Sequence, residues 1–183
     1  MKIIGEQFDT EENISKLLNR SVPRTDFDLT VDSIKEYAGW VYVSGTFDGS
    51  EYSINYSSAV FPNIILIEFF KKLVGLRGEL VLFFDYEGSY PMLYAKRVDK
   101  DTLRFVFAHD YILYENDEDY DDCLDYKIEF DVLIKKKDLL EKYYNILSPF
   151  IKNYNEKFAK ETFFNLNKAK QCLNIIKNYI DEK

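Results

Sequence analysis

The chain is poor in the residues on which most recognisable chemistry depends. It has two cysteines, one histidine, one tryptophan, four prolines and seven glycines in 183 residues. Two cysteines, Cys123 and Cys172, cannot build a disulfide framework, and no C-x-x-C pair is present for zinc or thiol exchange. A reducing, cytoplasmic setting is therefore expected. His109, the single histidine, leaves little material for neutral-pH acid–base chemistry, and no G-x-S-x-G elbow offers a serine nucleophile. The glycines are scattered at turns. Neither G-x-x-x-x-G-K-[ST] nor G-x-G-x-x-G occurs, so no glycine-rich phosphate loop is expected. No apolar run approaches the roughly 20 residues of a membrane span. The stretch "MKIIGEQFDTEENISK" has no signal-peptide core, and its acids argue against a transit peptide.

Aromatic and aliphatic residues are abundant. Hydrophobic residues make up 46% of the chain, with 15 Tyr and 15 Phe, which implies a globular fold with an aromatic core and a sheet. The pattern opens with a short helix, capped by Thr10 and apolar at Ile14, Leu17 and Leu18. Strand patterns follow in "FDLTVDSI", "WVYVSGTF" and "EYSINYSS". The Asp48-Gly49 pair between the last two signals a type I′ hairpin, so this part reads as a three-stranded meander. "FPNIILIEFFKKLVGLRG" is apolar nearly all round and reads as a buried helix, with Pro62 near its start and Gly75 or Gly78 ending it. "ELVLFFDY", "PMLYAKRV" and "LRFVFAH" read as three more strands. "YKIEFDVLI" reads as another, with Ile128, Phe130 and Val132 on one face and Lys127, Glu129 and Asp131 on the other. In the C-terminal part, Leu140, Tyr144, Leu147, Ile151, Tyr154 and Phe158 form a helical stripe, with a kink or restart expected near Ser148 because Pro149 falls inside it. Leu166, Ala169, Leu173, Ile176 and Ile180 form a second stripe, and Cys172 lies with it as core.

These elements predict an α+β fold: a mainly antiparallel sheet of about six or seven strands, a buried central helix and two C-terminal amphipathic helices. One domain over 1–183 is expected, with the sheet and central helix at about 24–134 and the C-terminal helices at about 136–181.

Charge is unevenly placed. Of the net −8, the segment Glu115–Asp125 contributes −7, while residues 135–183 carry a net +5. That segment, within "YENDEDYDDCLDY", holds seven acids and no base. A calcium loop fits Asp117, Asp119 and Asp121 at positions 1, 3 and 5. It fails where Asp122 replaces the required Gly and Ile128 replaces the required Glu, so no metal or other cofactor is expected. Cys123 sits among these acids, which disfavour its thiolate. Two readings remain: a solvated loop between two strands, or a surface for a basic protein. In the second, Glu115, Asp117, Glu118, Asp119, Tyr120, Asp121, Asp122 and Asp125 accept hydrogen bonds from Arg and Lys and supply aromatic contact area. The overall negative charge argues against nucleic acid, and the lysines of the C-terminal helices read as their solvated faces.

The stretch "WVYVSGTFDGSEYSINYSSAVFPNIILIEFFKKLVGL", followed by "FFDYEGSY", resembles an arrangement in small uncharacterised bacterial proteins, some of them of immunity type. The shared features are a strand, a D-G turn, a second strand, a serine, a proline-led apolar helix, and a strand ending at an E-G turn, over roughly residues 40–90. The resemblance implies an acidic, cytoplasmic, non-catalytic protein that neutralises a toxin, commonly a basic nuclease, by occluding it. It assigns no site residues. The expectation is thus a non-enzymatic, protein-binding chain. The alternatives are an enzyme or small-ligand binder, with chemistry around His109, and a structural or oligomeric component using the C-terminal helices.

Overall fold

The computed structural model describes residues 1–4, 10–37, 40–57, 64–84, 91–110, 126–153 and 165–182. The fold is α+β. Among the described residues the elements run β1 Lys2–Ile4, α1 Glu11–Asn19, β2 Ser33–Tyr37, β3 Trp40–Phe47, β4 Ser50–Ser57, α2 Ile64–Val74, β5 Glu79–Phe83 and β6 Met92–Arg97. They continue with β7 Thr102–Asp110, β8 Tyr126–Lys135, α3 Lys136–Lys152 and α4 Leu166–Asp181.

The strands form two sheets where the sequence suggested one. β2, β3 and β4 make the expected antiparallel meander, and β1-β5-β6-β7-β8 form a mixed sheet in that order. β1 is the strand that sequence patterning missed. Its three residues are too short to show a period, and it is fixed by parallel pairing of Lys2, Ile3 and Ile4 with Leu80, Val81 and Leu82. The first strand of the meander is also displaced. Phe27, Leu29 and Val31 do face the core, as their alternation predicts. They run beside β3 through single contacts, such as Thr30 N–H to the Thr46 carbonyl at 2.9 Å, and the ladder proper begins at Ser33.

The hairpin between β3 and β4 has the expected turn. Asp48 and Gly49 both have positive φ, +50° and +80°, which matches the right-handed twist of the flanking strands. Asp48 also accepts from the Asp28 N–H at 2.8 Å and pairs with Arg24, whose guanidinium lies 5.4 Å from the Phe47 ring. Gly45 in β3 answers a different need. A Cβ there would overlap the Thr30 carbonyl oxygen and sit 2.8 Å from the Tyr52 hydroxyl, which itself donates to that carbonyl at 2.8 Å.

The five-stranded sheet is buried on both faces, which explains the unbroken apolar run of β5. Leu80, Leu82 and Phe84 face the main core, while Val81 and Phe83 face α1. The main core is largely aromatic. Phe130 takes the rings of Phe47 and Tyr52 from the meander at 5.5 and 5.3 Å, and Phe70 of α2 stacks on Tyr143 of α3 at 3.8 Å. As predicted, α2 is buried on most sides: Leu66, Ile67, Phe69, Phe70 and Leu73 are all fully enclosed.

Behind the sheet, α1 starts as the sequence indicated, with the Asn13 N–H donating to Thr10 Oγ1 at 3.1 Å and Ile14, Leu17 and Leu18 buried. Its C-terminal end is tied to the sheet by charge. Arg104 donates from Nε to Asp131 Oδ1 at 2.9 Å and from a terminal nitrogen to Oδ2 at 2.6 Å. The same nitrogen reaches the Leu18 carbonyl at 2.7 Å.

The C-terminal helices show no restart near Ser148: α3 runs through Pro149 to Lys152. Pro149 and Asn145, whose carbonyl loses its helical donor, are both exposed, so water can serve that carbonyl. The buried stripe of α3 is Leu139, Leu140, Tyr143, Leu147 and Ile151, with Tyr144 half-buried. Tyr154 and Phe158 lie outside the described residues. α4 buries Leu166, Ala169, Cys172, Leu173 and Ile176, as its spacing predicts, and leaves Ile180 half-buried. Among the described residues no helix is long and apolar enough to cross a membrane.

Candidate functional site

The acidic segment joins the end of β7 to the start of β8. Glu115, Asp117, Glu118, Asp119, Tyr120, Asp121, Asp122 and Asp125, with Cys123, lie outside the described residues. The described residues that flank the segment are the end of β7 at Asp110 and the start of β8 at Tyr126.

Those ends are set by a register shift. Phe107 pairs with Phe130, but Ala108 pairs with Ile128, so Glu129 is an extra residue on β8. The bulge overturns the simple alternation read from "YKIEFDVLI". Phe130, Val132 and Ile134 stay in the main core, whereas Ile128 packs on the opposite face with the α1 cluster. Glu129 is thereby brought to His109. The His109 Nε2 lies 2.6 Å from Glu129 Oε1, and Lys127 Nζ reaches the same oxygen at 2.8 Å. An ionised carboxylate only accepts, so Nε2–H is the donor. The imidazole also lies nearly parallel to the Phe107 ring, with centroids 5.7 Å apart. Burial by itself would raise the Glu129 pKa. The hydrogen bonds from Lys127 and His109 outweigh it and hold the carboxyl below its ordinary range.

The strand ends are therefore a small, internally paired cluster: one cation and one imidazole on one carboxylate. The sequence picked out His109 as a strand-end residue but gave no hint of Glu129 as its partner, because the pairing depends on the bulge. Arg104 and Asp131 were also missed. Their charges are engaged with each other and with α1, so they hold the fold together rather than face a ligand.

The opposite ends of the same two strands have the reverse charge. Lys135 closes β8 and Lys136 opens α3. Beside them stand Arg97, Lys100 and Arg77, from separate parts of the chain. Nine residues of β7 place the two ends about 27 Å apart at the usual rise of a strand. The basic cleft thus lies at the opposite ends of β7 and β8 from Asp110 and Tyr126, the residues between which the acidic segment falls in the chain. Read along the sequence, the lysines of this cleft look like an ordinary solvated helix face.

Comparison with family models, with curated proteins and with solved structures returned no match.

Proposed function

We propose that the protein is a non-catalytic binding protein, and that the acidic segment between β7 and β8 is the surface it offers to a basic protein. The observation that carries this reading is the concentration of charge: seven of the eight net negative charges fall in eleven residues. Those residues are held between the ends of two paired strands, where Lys127 and His109 are already committed to Glu129. Acids presented together raise the encounter rate with a basic surface and accept charge-assisted hydrogen bonds from Arg and Lys on contact. An immunity-type inhibitor that occludes a basic toxin, such as a nuclease, fits this chemistry and the resemblance of residues 40–90.

Affinity recovery from the native host tests it. The wild-type chain is expected to retain a basic protein that is lost when Glu115, Asp117, Glu118, Asp119, Asp121, Asp122 and Asp125 are converted to their amides. Equal recovery by the neutralised chain would remove the role given to the segment.

A further inference from the structure

Beside the start of β7 and the end of β8, an open cleft of about 720 Å³ is lined by Arg77, Arg97, Lys100, Lys135, Lys136 and Lys137. Asp101, Asp138 and Glu182 share the lining, so six cations face three acids. A second hollow, of about 770 Å³, adjoins it through Arg77 and Arg97 and adds Lys2, Lys72 and Lys96. The six cations of the first cleft come from the α2–β5 connection, the end of β6, the β6–β7 turn and the β8–α3 junction, so only the fold assembles them.

Some lysines and arginines of the chain meet carboxylates, among them Lys96 with Glu79, Arg104 with Asp131, Lys168 with Glu68 and Lys177 with Asp181. Among the described residues none of the six cleft cations is in an ion pair, in a chain that has 32 acids. Arg97 Nε donates to the Asp99 carbonyl at 2.9 Å, Lys135 Nζ to Thr102 Oγ1 at 3.1 Å and Lys137 Nζ to the Glu182 carbonyl at 3.0 Å. Such contacts orient the side chains and leave their charge intact.

Lys136 is the extreme case. It is 6% exposed, and its ammonium has the Val74 carbonyl at 3.3 Å and the Tyr179 ring at 5.1 Å. Burial and then the nearby Arg97 push its pKa down, against the opposing pull of Asp101. Burial and then Lys2 do the same to Lys72 in the adjoining hollow. A lysine lowered in this way destabilises the fold while charged. That penalty is complete below the folded pKa and fades as pH rises through it. A bound anion relieves it.

We propose that this cleft binds a small, multiply charged phosphate compound. The forks of Arg77 and Arg97 suit pairs of phosphate oxygens, and the lysines around them act as point charges. The volume lies within the usual range of small-molecule sites. α3 begins in the lining, and Lys135 offers it no side-chain cap, so the helix adds a positive end to the same field. An extended nucleic acid or an acidic protein would meet the repulsion of a chain with net charge −8. A compact ligand responds mainly to charges within about 8 Å.

Titration calorimetry of the full chain with inorganic triphosphate and with ATP, at physiological ionic strength, tests the proposal. Saturable binding at one site is expected, weakened about tenfold or more when Arg97→Gln and Lys137→Gln are combined. Both side chains are exposed, and circular dichroism checks that the variant folds. Amide shifts of the wild-type chain with triphosphate give an independent reading, expected at Val74–Arg77 and Lys135–Asp138. No binding beyond matched chloride, unchanged affinity in the variant, or shifts confined to other residues would overturn the proposal. So would tight binding only by a single-stranded oligonucleotide or by polyglutamate, which would reassign the cleft to an extended polyanion or an acidic protein. The site shares no residue with the acidic segment, so either reading can fail alone.

Discussion

Replacing Asp131 with asparagine keeps the shape of the side chain and removes its charge. In the native fold this carboxylate is 4% exposed, holds Arg104 through two hydrogen bonds and accepts from Ser21 Oγ at 2.5 Å. The guanidinium left behind is 16% exposed, too little for water to replace the lost partner fully. Breaking a buried pair from one side costs about 3–5 kcal/mol. Arg104 keeps the Leu18 carbonyl and Ser21 as acceptors, which places the expected loss near the low end, about 3 kcal/mol. In a chain of this size that lowers Tm by about 6–12 °C. Urea unfolding at neutral pH measures it directly, and hydrogen exchange at Leu17 and Leu18 should accelerate, because the pair anchors the end of α1. A double replacement, Arg104→Met with Asp131→Leu, should recover part of the loss. It would not recover all of it, since the Leu18 carbonyl still loses its donor, at about 1–3 kcal/mol. An Asp131→Asn protein within about 0.5 kcal/mol of wild type would refute the reasoning.

Gly45→Ala should destabilise by about 1–3 kcal/mol, because its Cβ must displace either the Thr30 carbonyl or the Tyr52 hydroxyl that donates to it; thermal unfolding measures this, and an unchanged Tm would show that the strand gives way freely. Glu129 has its carboxyl held below the ordinary value of 4.5, so its contribution is complete above that value and is lost as pH falls through it to the lower folded pKa. Glu129→Gln should therefore be less stable than wild type at neutral pH by up to about 1 kcal/mol, since partial exposure screens the pair, and the gap should close as pH falls from 4.5 through the lower folded pKa. Urea midpoints across that range test the sign, and a gap that widens on acidification would contradict it. Glu79, held down mainly by its hydrogen bond from Lys96, adds to the same acid limb.

The features legible in the sequence were the local ones. A type I′ turn is written in Asp48-Gly49, a helix start in Thr10, and a buried helix in the mostly apolar stretch from Ile64 to Phe70. The missing features are products of contact between distant segments. Three residues of β1 carry no period, and their place is decided by residues 80–82. The division into two sheets follows from where the Phe47 and Tyr52 rings meet Phe130, which alternation within a strand cannot specify. The bulge at Glu129 reverses the facing of Ile128 and creates the His109 cluster, yet "YKIEF" alternates without a break. The basic cleft draws on four segments, and each looks unremarkable alone. The acidic segment was the opposite case, conspicuous in sequence because its charge is contiguous.

The proposed function depends most on that segment. The direct test is the association rate between this chain and the basic protein recovered with it, measured at rising ionic strength for the wild-type chain and the form with all seven acids neutralised. For the wild type the rate should fall steeply with salt. For the neutralised form it should be lower at low salt by about tenfold or more and nearly independent of salt. Identical rates and identical salt dependence for the two proteins would contradict it.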